Sequence, residues 1–529
     1  MTQPSSRDSG ILDLALLLPE AYPHPVAAPV QLVETHISRV FLTGNFAYKL
    51  KKPVRLAFLD YSTLERRRAF CEEEVRLNRR HAPDLYLGVS AIAGPVSAPR
   101  VDGAGDAVEY AVKMRQFDRR DELDLLIDAG RVDATALSAL GARIAGFHAA
   151  AECVDRASSF GRPDVVHGIT LANFEELRRL PEAAERDRTL RELERWVGGE
   201  HERTRDLLQS RRDAGRVREC HGDLHCGNVV RWAGRLTAFD GIEFDPALRY
   251  LDVASDLAFL TMDLSVRGRD DLRHATLQAW AETLGDFEAL RLLPYFETYR
   301  ALVRAKVAAL RALQHPSGGA DRAKDCATAF RYLDWAAART RRPPPGLLLT
   351  CGYSGSGKTW LARALAAELR ALHLRSDVER KRLAGLAPLE DSRSPLDGGI
   401  YTPEYTRQTY ERLRDCTADV LAGGESVVVD GAFLRRGERE RMLALADRLQ
   451  VPAAILHCIA PMSVLRERVA ARSRTGTDPS EAGVATLERQ PGFWEPFGDA
   501  EQARVVTADT TAPDVVVMCR DAVRGLGVG

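Results

Sequence analysis

Between residues 30 and 118 apolar and polar side chains tend to alternate. VQLVETH, RVFLTGNFAYKL and EYAVKMRQF share this pattern, and the Thr-Gly-Asn triplet in the middle segment is a turn signal, so strands with a hairpin are expected. LERRRAFCEEEVRLNRR instead spaces its apolar residues at helical intervals and predicts one amphipathic helix. From 119 to 340 the helical period dominates, including the Arg/Glu-rich ELRRLPEAAERDRTLRELERWVGG, which reads as a solvated helix face. TRRPPPG, at 340–346, breaks the pattern: three consecutive prolines cannot continue a helix and form a stiff extended spacer. Beyond it GLLLTCG, LHLRSD and ESVVVDGAF are short apolar runs of the kind that make buried parallel strands, separated by helical stretches such as MSVLRERVAARSR.

The pattern divides the chain into an N-terminal tail (1–29), a strand-rich lobe (30–118), a helical lobe (119–340), a proline linker (341–346) and a second domain (347–529). The expected class is multidomain, α+β followed by α/β with a parallel sheet. A length of 529 residues fits more than one core.

A net charge of −1 supplies no overall field for nucleic acid or an anionic membrane, so neither partner is expected. The first 25 residues lack a secretion signal, no stretch approaches a membrane span, and the nine scattered cysteines suggest reduced thiols; a cytoplasmic location follows as an expectation. Only eight of the 74 basic residues are lysine, so each lysine hints at a place where a compact ammonium is wanted.

CHGDLHCGNVV, at 220–230, gathers two cysteines and two histidines, yet Cys220, His221, His225 and Cys226 lack the spacing of a zinc site. The other reading is His221-Gly222-Asp223 followed by Asn228. This is the spacing of a phosphotransfer loop in which an Asp accepts a hydroxyl proton and an Asn five residues on holds magnesium. Twelve residues later LTAFDGIEFD ends a strand at Asp240-Gly241, where a second metal carboxylate belongs.

Residues 30–335 resemble the aminoglycoside phosphotransferase-like kinases, whose bilobal protein-kinase-like fold carries H-G-D-x4-N. The resemblance implies Asp223 as catalytic base and Asn228 and Asp240 as magnesium ligands. It also implies an ATP-binding lysine and its helix partner, for which Lys49 and Glu74 fit best, and a hinge near Met114 facing adenine. Asp252 and Asp256 resemble the family's closing acidic segment and are expected to be structural. The phosphate-covering loop would lie in ETHISRVF, without a G-x-G-x-x-G. Arg300 and Arg304, one turn apart, are candidate acceptor contacts or solvent-facing surface charges.

GYSGSGKT, at 352–359, fits G-x4-G-K-[ST] between a strand and a helix. Main-chain amides at Gly352, Ser354, Gly355, Ser356 and Gly357 cradle phosphates, Lys358 reaches the β/γ oxygens and Thr359 binds magnesium. Asp430, ending a third strand, is a candidate magnesium carboxylate. This half resembles P-loop small-molecule kinases, an AAA/zeta-toxin/gluconate-kinase-like ATP-binding group. The likeness implies Asp377 as acceptor-binding residue or base, Arg380 as an acceptor contact, and Arg468 and Arg472 as lid arginines. In this order the halves resemble bifunctional aminoglycoside phosphotransferase-like/P-loop fusions, which implies ATP and Mg2+ as cofactors and small hydroxyl compounds as acceptors. Two alternatives stay open: a regulator whose P-loop domain is an ATP switch, and a zeta-toxin-like nucleotide-sugar kinase.

Overall fold

The Thr-Gly-Asn turn does what its sequence suggests. Strands β2 (Ser38–Leu42) and β3 (Phe46–Lys51) pair antiparallel on either side of it, with Leu42 opposite Ala47. With β1 (Gln31–Glu34), β4 (Tyr86–Ala93), β5 (Arg100–Val101) and β6 (Ala107–Arg115) they form a six-stranded sheet in the order β1-β2-β3-β6-β4-β5. The computed structural model describes residues 6–27, 29–56, 59–341, 343–395, 398–475 and 478–528; the first five residues of the expected tail and Arg342 of the linker lie outside them.

Both faces of this sheet are covered, because its strands alternate apolar residues to each side. On one face lies helix α1 (Ser6–Leu16): Leu12 and Leu16 pack with Tyr22, Phe41, Tyr48 and Leu50. Residues 12–26 of the expected tail are therefore packed into the lobe's core. On the other face lies α2 (Leu64–Asn78), capped by the Thr63 hydroxyl, which accepts from the Arg66 amide at 3.3 Å. Its inward stripe (Arg67, Cys71, Glu74, Val75 and Asn78) has helical spacing, and the buried Arg67 shares its Nε–H between both Glu109 oxygens, each at 2.9 Å.

Helix α3 (Ala134–Ala150), the hairpin of β7 (Val229–Trp232) and β8 (Arg235–Ala238), and α4 (Val253–Val266) follow. Residues Met1–Gly168 and Arg205–Asp263 make one compact unit; Ile169–Thr204 and Leu264–Gly529 make the other.

The second unit contains α5 (Asp270–Leu284), α6 (Leu293–Gln314), α7 (Ala320–Arg339) and a five-stranded sheet. The strands are β9 (Leu347–Cys351), β10 (Leu372–Arg375), β11 (Val427–Asp430), β12 (Ala453–Ile459) and β13 (Val505–Asp509), parallel in the order β10-β11-β9-β12-β13. Helix α8 (Lys358–Leu369) follows β9 and buries Leu361, Leu365 and Leu369 in the sheet's core. The remaining helices that bear on the site are α9 (Ser376–Leu383), α10 (Pro403–Ala422) and α11 (Met462–Thr475).

Helices α5–α7 belong to this unit, so the prolines do not act as a spacer between independently packed bodies. The reason is a buried ion-pair network. Glu297 accepts from Arg273 at 2.9 Å and from Arg339 at 2.7 Å, and Glu425, just before β11, accepts from Arg273 at 2.7 Å and Arg339 at 3.3 Å. All four side chains are at most 8% exposed. Gln278 of α5 also bonds both main-chain groups of His373, at 2.7 and 3.0 Å, satisfying the edge strand β10. Among the described residues no helix is long and apolar enough to cross a membrane.

Candidate active sites

The turn at His221-Gly222-Asp223 requires its glycine: Gly222 has φ +85°, and a Cβ there would lie 2.7 Å from the Leu248 carbonyl oxygen. Buried groups fix the rest of the loop. The Asp256 carboxylate accepts from the His221 amide at 3.2 Å and the Gly222 amide at 2.8 Å, and lies 3.0 Å from His148 Nε2. These bonds, opposing the cost of burial, hold Asp256 well below the usual carboxylate range. Two turns along α4, Asp263 accepts from the Cys226 amide at 3.0 Å. Asp252 instead makes a bidentate pair with Arg211 at 2.9 and 3.0 Å.

So held, the half-buried Asp223 accepts from Asn228 Nδ2 at 2.9 Å, with His225 Nε2 at 3.6 Å. That bond turns the amide nitrogen of Asn228 toward the Asp223 carboxylate and its oxygen away from it. His221 Nε2 is 2.9 Å from the Phe239 carbonyl, bracing the loop against the strand that leads to Asp240. Asp240 has φ +61°, an αL conformation; its amide donates to the Tyr86 hydroxyl at 3.0 Å and the Gly241 amide to Asn78 at 2.8 Å. The Asp240 side chain is 42% exposed, so its carboxylate is open to a ligand.

Lys49 reaches both sides of this cleft. Its ammonium lies 2.8 Å from Glu74 and 2.5 Å from Asp240. Burial alone would lower its pKa, but the Asp240 and Glu74 carboxylates win and hold it well above the ordinary value. Lys51, two residues on and on the same face, donates to Glu74 at 2.7 Å and to Glu243, which also accepts from Tyr61. Against the cost of burial, the two lysines lower Glu74 to about 2. Glu74 thus serves two buried lysines, and Glu243, which sequence reasoning missed, completes the square.

Met114 is 6% exposed and packs with Ala47, Val112 and Val230. Its side chain fills the core and is not open to a ligand. The ETHISRVF segment is the β1–β2 turn, tied by Thr35 Oγ1 to the Ser38 amide at 2.9 Å. Cys220 Sγ lies 3.6 Å from the Leu251 carbonyl and close to His148 and Asp256, and Cys226 is buried.

In the second unit Gly352 has φ +143°, and a Cβ there would lie 2.4 Å from the Cys458 carbonyl; the loop needs glycine to turn at this point. Lys358 folds back to the Tyr353 carbonyl at 2.7 Å, and burial, opposed by Asp430 and Asp377 nearby, lowers its pKa. A further support was not legible in the motif: Gln490 accepts from the Ser354 amide at 2.7 Å, and its amide group lies 3.1 Å from the Ser354 hydroxyl. Gly355, Ser356 and Gly357 complete the loop, and Gly355 and Gly357 take φ near +81° and +82°. Thr359 hydrogen-bonds Asp430, and His373 Nε2 lies 3.3 Å from the same carboxylate. These partners outweigh burial and lower Asp430 to about 2.

Asp377 stands in the first turn of α9, facing Lys358 and Tyr401. Arg380 is buried over the Tyr401 ring, 5.1 Å from its centroid, and donates to the Ile400 carbonyl at 2.8 Å. It therefore shapes the pocket wall and is not an open acceptor contact. Arg468 does not project from a lid either: it donates to Thr510 Oγ1 at 2.8 Å and lies 3.4 Å from the Gly355 carbonyl, against the phosphate loop itself. Arg472 donates to the Ala482 carbonyl at 2.7 Å and so fastens α11 to the segment carrying Asp478 and Glu481. That segment meets the Asp377 side of the pocket through Arg375–Asp478 at 3.4 Å and Lys381–Glu481 at 2.9 Å.

A family model described as an AAA domain matches residues 347–496. Among solved structures, a gluconokinase from Sinorhizobium meliloti 1021 is 24% identical, covering 35% of this chain and 95% of its own, at a TM-score of 0.26. A choline/ethanolamine kinase family protein from Mesorhizobium loti is 12% identical, covering 63% of this chain and 99% of its own, at a TM-score of 0.36. Over 482 residues, 89% of this chain and 92% of theirs, it is 31% identical to uncharacterized proteins Rv2004c of Mycobacterium tuberculosis and Mb2027c of Mycobacterium bovis. The chain belongs to the family of these mycobacterial proteins, and its residues 347–496 carry the AAA-type domain with its P-loop.

Proposed function

We propose that the chain is an ATP-dependent phosphotransferase with two nucleotide sites, each passing the γ-phosphoryl group of ATP to a hydroxyl of a small molecule. The observation that carries this reading is that each unit assembles its own set. Asp223, Asn228, Asp240, Lys49 and Glu74 gather around one cleft, and Lys358, Thr359 and Asp430 around one phosphate loop.

In the first unit the acceptor oxygen forms a bond to the γ-phosphorus as the bond to the β-bridging oxygen breaks, and the hydroxyl proton passes to the Asp223 carboxylate. The Lys49 ammonium, held by Glu74, leaves its short bond to Asp240 to meet phosphate oxygens. In the second, main-chain amides of 352–359 and Lys358 hold the phosphates, and Asp377 faces the acceptor. Magnesium suits both donor sets: the Asn228 oxygen with Asp240, and the Thr359 hydroxyl with the ionised Asp430, are hard oxygen ligands. Bound there, it would neutralise phosphate charge.

Counting sites tests the reading. Equilibrium binding of a non-hydrolysable ATP analogue with magnesium is expected to give two equivalents per chain, falling to one in Asp240→Asn and to one in Asp430→Asn. A single equivalent in the native chain, abolished by one of these changes and untouched by the other, contradicts it.

The regulator reading keeps one observation in its favour: α5–α7 are laced directly to β10 and β11 of the nucleotide domain. Occupancy of the phosphate loop could therefore bias those helices, and an empty-loop variant, Lys358→Ala, would show it as altered turnover at the first site.

A further inference from the structure

Behind the catalytic loop, on the side of α2's C-terminal end, the first unit holds a cleft of about 530 Å³ that the phosphotransfer chemistry does not use. Its volume lies in the range of small-molecule sites. The walls are helix α3, the residues following α2, and strand β8. Leu140, Ile144 and Phe147 supply an apolar surface, and Arg80, Arg143 and Arg235 the charge; no acidic residue is among the described lining residues.

The three arginines are not equivalent. Arg80 is already neutralised by Glu219, 3.0 Å away, and lies 5.0 Å over the Phe147 ring. Arg143 donates only to the Leu236 carbonyl, and among the described residues no carboxylate stands within ion-pair distance of it or of Arg235, both of them exposed. Two like charges thus face one half-buried apolar cleft without a counter-ion, and both burial and Arg235 disfavour the charge on Arg143. One more group waits there. His81 borders the cleft, and its buried Nε2 has no hydrogen-bond partner. An unpaired buried polar atom carries a desolvation cost that a ligand would relieve. The same ring meets His221 of the catalytic loop edge-on, with centroids 5.4 Å apart.

We propose that this cleft binds an organic anion with an apolar body, its charge against Arg143 and Arg235, its polar group within reach of His81, and its body against Leu140, Ile144 and Phe147. The contact of His81 with His221 then gives the ligand a route to the loop that carries Asp223.

The probe is 8-anilinonaphthalene-1-sulfonate, an aromatic body with one negative charge, titrated by fluorescence into the full chain. One saturable site is expected, displaced by octanoate and not by octanol, which has the same body without the charge. Arg235→Glu, at an exposed position that leaves the fold intact, should weaken the probe by at least about tenfold. Ala150→Trp, which fills the cleft from an exposed position, should abolish the site. In a Lys358→Ala background, saturating octanoate should shift the first site's affinity for the ATP analogue by about fivefold or more, and should not do so when Ala150→Trp is added. Equal displacement by octanol, or undiminished probe binding in both cleft variants, would overturn the site. An unchanged analogue affinity with octanoate bound would overturn the route through His81.

Discussion

Replacing Glu297 by glutamine tests the joint between α5–α7 and the P-loop sheet. In the native chain two guanidiniums face two carboxylates, and the group is neutral although almost wholly buried. The substitution keeps shape and volume but leaves Arg273 and Arg339 sharing Glu425 alone, so one positive charge is buried without a partner. Breaking a buried pair in this way costs about 3–5 kcal/mol, several times the worth of a surface pair. In the folded-to-open ratio this is a factor of roughly 10²–10⁴. Hydrogen exchange of the β11 amides reads it directly, because Glu425 stands two residues before that strand, and their exchange should quicken by that factor where opening is fast and reversible. Replacing all four charges together, with Arg273→Met, Glu297→Leu, Arg339→Met and Glu425→Leu, should restore most of the protection, since no charge is then stranded. Unchanged exchange in Glu297→Gln, or a quadruple variant worse than the single one, refutes the network as the joint.

Asp223→Ala should lower phosphoryl transfer at the first site by about 10²–10⁴ while ATP binding persists through Lys49, Asn228 and Asp240, as single-turnover and binding measurements would show. Acid should loosen the first unit in a defined window. Glu74 is lowered to about 2 when folded, against about 4.3 unfolded, so its contribution is complete above roughly pH 4.3 and is lost as pH falls toward 2. Glu74→Gln should flatten that part of the stability-versus-pH curve followed by urea unfolding. A fragment of residues 347–529 should unfold at lower denaturant than the same residues within 264–529, because it strands Glu425 and uncovers the edge of β10 that Gln278 satisfies; equal midpoints would count against the packing account.

What was legible in the sequence is what is local. His221 to Asn228, 352–359 and the turn at 43–45 each close within eight residues, so their spacing alone sets their local geometry. The alternation of β2 and β3 likewise placed Lys49 and Lys51 on one face. The supports of these motifs come from far away. Glu243 meets Lys51 across 192 residues, Asp256 meets Gly222 across 34, and Gln490 meets Ser354 across 136. Nothing in a carboxylate's neighbours along the chain announces such a partner. The prolines misled for the same reason. Arg273, Glu297 and Arg339 look like solvated helix charges until Glu425, across 152 residues from Arg273, gives them a reason to be buried. Arg300, read as an acceptor contact or a surface charge, is 3% exposed and lies 4.9 Å over the Tyr299 ring. Arg468 and Arg472 share a helix face as their spacing requires, yet one grips the phosphate loop and the other the segment beyond the helix.

Phosphoryl transfer at both sites can be tested in one experiment. The most direct measurement is ATP consumption by the full chain against a library of hydroxyl-bearing metabolites, repeated with Asp223→Ala, with Lys358→Ala and with both. Two sets of acceptors are expected, one lost with each single change and both lost in the double variant. Acceptors that all vanish with one change and are indifferent to the other would contradict it, leaving one catalytic site and a second domain that only binds.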